Sequence, residues 1–174
     1  CIWEEQKLPY GVVATASCNG VGWANIPGGG VQDMPPGQLE EKKKEDMFDL
    51  FGILRDPRTL PARAIPGGLP IPGAGEQRVP AVAVESDVIK EWRIFFDPQS
   101  GRIAAIQRRG QPPTGGAPAI LTELFGEYRM LGNVVFWPYE HGLLVDGVPL
   151  LSRKTTAITL NTAPPATLFE KPKP

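Results

Sequence analysis

The run Lys90-Glu91-Trp92-Arg93-Ile94-Phe95-Phe96-Asp97-Pro98-Gln99-Ser100-Gly101-Arg102-Ile103-Ala104-Ala105-Ile106-Gln107-Arg108-Arg109-Gly110 decides the fold of this 174-residue chain. Two β-prone runs flank Asp97-Pro98-Gln99-Ser100-Gly101. Pro98 presets φ for a turn, Asp97 can bond the backbone beyond it, and Gly101 can take positive φ on exit. Taken as symmetric about Gln99, the hairpin sets Trp92, Ile94 and Phe96 on the side of Ile106, Ala104 and Arg102. Glu91, Arg93 and Gln107 share the opposite face with Phe95 and Ile103. One greasy and one mixed face is the pattern of an antiparallel sheet covered on one side.

Strands continue in both directions. Val79–Val84 leads into the hairpin, and Gln111–Pro118 is a flexible loop after it. Leu121–Met130 and Asn133–Tyr139 pair around Leu131-Gly132, which puts Tyr128, Val135 and Trp137 on one face. Asp146-Gly147 has the composition of a type I′ turn. Leu150–Asn161 reads as the last long strand, with Ile158 and Leu160 on one face. Pro164-Pro165 breaks it, and Leu168-Phe169 returns the tail to the core.

Towards the N-terminus, Val12–Ser17 and Gly22–Ile26 are strands joined at Asn19-Gly20. Pro27-Gly28-Gly29-Gly30 is a turn, since no Gly-Lys-Ser/Thr follows it and no Gly-x-Gly-x-x-Gly occurs. A helix starts near Met34-Pro35-Pro36, where proline is allowed in the first turn, and runs through Phe51. Met47, Leu50, Phe51 and Leu54 form its apolar stripe, with the Glu40–Lys44 pair on the other side. Such a stripe suits a lid on a sheet. Asp56–Arg78, rich in Pro and Gly, reads as an irregular or mobile connection rather than a domain boundary. The expected fold is mainly β with one or two helices (α+β): a curved antiparallel sheet, an open half-barrel with a helical lid, as a single domain over residues 1–174.

Charge is nearly balanced, with 18 Lys+Arg against 19 Asp+Glu. That argues against a nucleic-acid partner, which calls for a basic face. No apolar stretch is long enough to span a bilayer. The chain opens on Cys1 without an initiator Met, as a processed or excised product does. Cys1 is either an acylated lipoprotein terminus or simply an excision boundary; β-like sequence starting at once, with no tether, favours the boundary. Membrane association is expected only if Cys1 is lipidated. If Leu8-Pro9-Tyr10-Gly11 is a turn pairing Leu8 with Gly11, Cys1 falls opposite Cys18 at a non-hydrogen-bonded position, where side chains lie close. A disulfide there would suit an extracytoplasmic protein, and two unpaired thiols are the alternative.

These pieces, in this order, resemble the lipoprotein-carrier (LolA/LolB-like) superfamily. They are most similar to its uncharacterised bacterial branch, sometimes fused to insulinase-type peptidases. The likeness rests on Asn19-Gly20-Val21-Gly22-Trp23, Met34-Pro35-Pro36-Gly37-Gln38-Leu39, Phe96-Asp97-Pro98 with Gly101, and Glu127-Tyr128-Arg129 with Gly132. Asp146-Gly147-Val148, Asn161 and Leu168-Phe169-Glu170-Lys171-Pro172 complete it. It implies a half-barrel with helices over its concave face, in a version without the family's first helix and first strands. It also implies a periplasmic or outer-membrane-associated setting.

Chemistry finds little purchase. His141 is the one histidine, and Glu140 beside it does not supply the arrangement that Ser-His-Asp or Cys-His devices need. There is no His-Glu-x-x-His and no Cys-x-x-Cys for zinc. Glu40-Glu41 and Glu45-Asp46 read as solvated helix charges. No enzyme activity, metal or cofactor is expected. The expected function is a non-enzymatic extracytoplasmic module binding a hydrophobic small molecule, acyl chain or lipid-linked protein. Trp92, Ile94 and Phe96 would form the floor, Tyr128, Val135 and Trp137 the side, and Leu50 and Phe51 the lid. The alternative is a structural or protein-interaction domain with a filled core, acting through strand edges or the Pro/Gly loops, possible as a peptidase's companion.

Overall fold

The computed structural model describes residues 1–8, 11–40, 50, 53, 60–85, 90–133, 135–158, 165, 167 and 169–172. Of the expectations above, Met47, Phe51 and Leu54 of the helix stripe, the Lys44 partner of Glu40, and Pro9-Tyr10 lie outside these residues. So do Glu41, Glu45 and Asp46 of the helix charges, and Leu160, Asn161, Pro164 and Leu168. The chain is mainly β with antiparallel sheets, none closed into a barrel. It divides into two compact units, Cys1–Arg55 with Asn161–Pro174, and Asp56–Leu160.

The first unit is a four-stranded antiparallel meander, β1 (Ile2–Leu8), β2 (Gly11–Cys18), β3 (Val21–Ile26) and β4 (Gly30–Asp33). Asn19 and Gly20, both at positive φ, make the β2–β3 turn, the geometry that favours this dipeptide. Strand β4, unforeseen from the sequence, follows directly on the glycine turn. Ala14, Ala16 and Trp23 are buried together on one face, with Val31 and Phe169 packed on them. Trp23 Nε1 donates to the Phe169 carbonyl at 3.3 Å, and Lys171 Nζ lies 2.8 Å from Asp33 Oδ1. The tail thus returns to this core as expected. Residues 36–40 are helical, as are Leu50 and Ile53, and Leu39, Leu50 and Ile53 are buried.

The second unit is a seven-stranded antiparallel sheet in the order β13-β12-β11-β10-β9-β8-β5. Its strands are β5 (Ala62–Ala64), β8 (Ala81–Val84), β9 (Arg93–Phe96), β10 (Ile103–Gly110), β11 (Ala119–Leu131), β12 (Val135–Val145) and β13 (Val148–Lys154). A small pair, β6 (Leu69–Pro70) and β7 (Arg78–Val79), lies between β5 and β8 in sequence. The central turn forms as the sequence dictates. Asp97 Oδ1 accepts from Ser100 N at 2.6 Å, Ser100 Oγ at 2.7 Å and Gln99 N at 3.2 Å, and Gly101 has φ 68°. These hydrogen bonds, the Ser100 hydroxyl first, hold the Asp97 carboxyl below its ordinary range.

Three expectations need correction. The hairpin register is Ile94↔Ile106 and Phe96↔Ile103, with a shift between Ile103 and Ala105, so Ala104 is a bulge residue rather than the partner of Ile94. Bulges of this kind bend a strand and strengthen its twist. Secondly, β11 and β12 pair as Leu131↔Val135 and Tyr128↔Pro138, a register offset by an odd number from the expected one. A side-chain period of two then sends Tyr128 to the face opposite Val135 and Trp137. Thirdly, β12 runs on through His141 to Val145 instead of ending at Tyr139, whereas β13 ends at Lys154 and residues 155–158 are irregular.

The Pro/Gly-rich connection is not a loose loop. Ile65, Leu69 and Ile71 pack on a buried cluster of Val79, Ala81, Phe95 and Ala105, joined by Leu124. Ala81↔Phe95, Phe95↔Ala105 and Ala105↔Leu124 are facing partners, so the cluster is a row across four strands. The 65–79 segment is therefore the cover of this sheet face. It continues to β12, where a Cβ on Gly73 would overlap Leu144 Cδ2 and come 2.6 Å from the Gly147 carbonyl oxygen.

Candidate functional site

The same segment builds one wall of a cleft at the β5–β8 edge. After β5 the chain turns at Gly67 and Gly68, both at positive φ. Gly68 N donates to Ile65 O at 3.0 Å. Arg78, on β7, holds the turn from the other side: its Nε donates to Gly67 O at 2.9 Å and its Nη2 to Gly68 O at 2.5 Å. Gly68 is required by space as well as by φ, because a Cβ there would overlap the Val79 carbonyl oxygen. Across the cleft, Phe96 N donates to Pro80 O at 2.8 Å and fixes the end of β9 against β8.

The resulting cavity measures about 490 Å³ and is lined mainly by Ile65, Val79, Pro80, Ala81, Val82 and Phe96, with Ala64, Gly67, Gly68 and Arg78 completing it. Its size lies within the range of small-ligand pockets, and its lining is the apolar wall with few polar groups that such pockets show. Arg78 is the one charged residue among these.

The expected ligand-binding residues distribute as follows. Phe96 lines the cleft and is half-buried. Trp92 and Ile94 are buried, 2% and 3% exposed, and Ile94 faces Val82 and Ile106 on the sheet side opposite Phe95. Tyr128 joins a different group: its hydroxyl donates to Ile103 O at 2.6 Å, and the Arg102 guanidinium lies 5.6 Å from its ring and 3.9 Å from that of Phe136. Burial pushes the Tyr128 phenol up to about 12. Val135 and Trp137 sit across from Leu131 and Arg129. Leu50 belongs to the first unit, and Phe51 is outside the described residues. Ile65, Arg78, Val79, Pro80, Ala81 and Val82 were not foreseen as lining. Their one sequence signal is Gly67-Gly68, which marks a close backbone approach without saying to what.

His141 faces Phe125 and Arg153 in the ladder, with its ring edge-on to Phe125 at 5.2 Å. Burial, then the Arg153 charge, lowers its pKa. A second charged group ties β11 to β13. Lys154 Nζ lies 2.7 Å from Glu127 Oε2 and 3.1 Å from Glu140 Oε1. Only the second contact has hydrogen-bond directionality. Arg129 pairs with Glu127 on its other oxygen and lies over the Tyr139 ring.

Cys1 and Cys18 are joined as a disulfide with Cα atoms 4.3 Å apart, and the Leu8↔Gly11 register that places them opposite one another is the expected one. No family model, no curated protein and no solved structure matches the chain.

Proposed function

We propose that this protein is a non-enzymatic extracytoplasmic module that binds an apolar ligand such as an acyl chain, with the β5–β8 cleft as its seat. The observation that carries this reading is the cavity of about 490 Å³ walled by Ile65, Val79, Ala81, Val82 and Phe96. Burying apolar ligand surface there yields roughly 25 cal/mol per Å² before the entropic costs of association. The Cys1–Cys18 bridge supports a setting outside the cytoplasm, since reducing compartments disfavour structural disulfides. With the Cys1 sulfur in that bridge, anchoring through an acylated Cys1 forms no part of the proposal. The likeness to lipoprotein carriers agrees with the open antiparallel sheet and belongs to the same proposal.

The test is titration of native protein with a fluorescent fatty-acid analogue, beside Phe96→Asp and Val82→Asp variants whose circular dichroism matches wild type. Saturable binding that both variants lose is expected. Absence of saturable binding to the wild type overturns the reading.

A second reading, a protein-interaction module, is favoured by β13. This edge strand is exposed at every residue, with Val148 at 66% and Leu151 at 52%, and unpaired strand edges accept added strands. Replacement of Leu151 by Lys would then abolish association in a pull-down while leaving fatty-acid binding intact.

A further inference from the structure

We infer that the cleft selects an anionic amphiphile, a single alkyl chain ending in a carboxylate, and that Arg78 recognises the head group; the inference rests on the apolar-ligand reading above. Arg78 is the one charged residue among those lining the cleft, and the remaining walls are apolar side chains and glycine backbone. Its Nε and Nη2 are engaged by the Gly67 and Gly68 carbonyls, which fix the plane of the guanidinium at the cavity wall. No carboxylate pairs with it, and its Nη1 has no partner, among the described residues. An anchored guanidinium with free donors is suited to a carboxylate, whose planar oxygens match its N–H geometry.

A cationic amphiphile meets like charge at the same place, and a neutral alcohol offers the guanidinium only an uncharged acceptor. Pre-anchoring matters, because the side chain has already lost its rotamer freedom to the loop and forfeits little more on binding. Arg78 is solvent-exposed, so the head-group contact contributes modestly and the chain supplies most of the affinity.

The experiment compares dodecanoate, dodecanol and dodecyltrimethylammonium by isothermal titration calorimetry on the full chain at pH 8 and low salt. Dodecanoate is expected to bind about fivefold tighter than dodecanol, the cation weaker than both, and the gap to close at high salt. In Arg78→Gln, which also loses the Gly67 and Gly68 contacts, the ratio of dodecanoate to dodecanol affinity should fall to about one, whatever change is common to both ligands. Equal wild-type affinities for dodecanoate and dodecanol overturn the anionic selectivity and leave the apolar cleft standing. Binding of none of the three overturns both. A wild-type ratio retained in Arg78→Gln overturns Arg78 as the head-group residue. If that variant binds neither ligand, the Arg78 Nε–H resonance of the wild type decides, shifting with dodecanoate and not with dodecanol if Arg78 holds the head group, and shifting with neither or equally with both if it does not.

Discussion

Gly67 and Gly68 offer a matched pair of substitutions that isolates the close approach on which the cleft wall depends. Both residues have positive φ, 72° and 63°, so an alanine at either is strained by the left-handed backbone, at a cost of about 1 kcal/mol. They differ in what a Cβ would meet. At Gly67 nothing lies within 4 Å, whereas at Gly68 the Cβ overlaps the Val79 carbonyl oxygen, with the carbonyl carbon at 2.8 Å. That obstacle is backbone, held in the β6–β7 pair by Leu69↔Val79, and cannot swing aside as a side chain would. Forcing the loop outward adds an overpacking penalty of roughly 1–3 kcal/mol. It also separates Arg78 from the Gly67 and Gly68 carbonyls. Gly67→Ala should therefore cost about 1 kcal/mol and Gly68→Ala about 2–4 kcal/mol. Urea unfolding followed by far-ultraviolet circular dichroism separates them, since with an m-value of a few kcal/mol/M the midpoints should differ by roughly 1 M. Equal midpoints for the two variants would refute the tight approach of Gly68 to Val79 and with it the rigid cleft wall.

Other perturbations address the remaining elements. Replacing Cys1 and Cys18 by Ser opens a link of sequence separation 17, and chain entropy sets the expected loss at roughly 3 kcal/mol by chemical denaturation; a loss below about 0.5 kcal/mol would contradict the bridge. Thr122 has 0% exposure and its hydroxyl has no partner among the described residues, so Thr122→Val should be neutral or stabilising by up to about 1 kcal/mol in thermal melts, and marked destabilisation would show that the hydroxyl is hydrogen-bonded. Lys154, then Arg129, holds the Glu127 carboxyl down to about 2. A depressed carboxylate contributes stability that is fully present above its unfolded value near 4.5 and is lost as pH falls towards 2. Lys154→Met should raise the Glu127 midpoint in an NMR titration and flatten the pH dependence of stability in that window; an unmoved midpoint refutes the pairing.

Reading the chain alone was enough wherever a structure is specified by neighbours in sequence. Asn19-Gly20 and Asp146-Gly147 adopt positive φ at both residues because few other dipeptides tolerate that turn, and Asp97-Pro98-Gln99-Ser100-Gly101 carries its own hydrogen-bond acceptor and its own exit glycine. That Cys1 stands opposite Cys18 follows from counting back from one turn, whereas the bond between them, with unpaired thiols as the alternative, was decided by the structure. Alternation of apolar residues was enough for β9–β11, for β12 as far as Tyr139, and for the mainly antiparallel architecture. Registers beyond a turn were not legible, because the bulge at Ala104 and the odd offset of β11 on β12 are chosen by which side chains pack best across the sheet. Nor was the role of residues 65–79, whose prolines and glycines signal turns but carry no period. Only when Ile65, Leu69 and Ile71 meet Phe95 and Ala105 does that segment become a cover. The cleft that results beside Phe96 exists because residues distant in sequence exclude water together, a cooperative choice that no local stretch of chain contains.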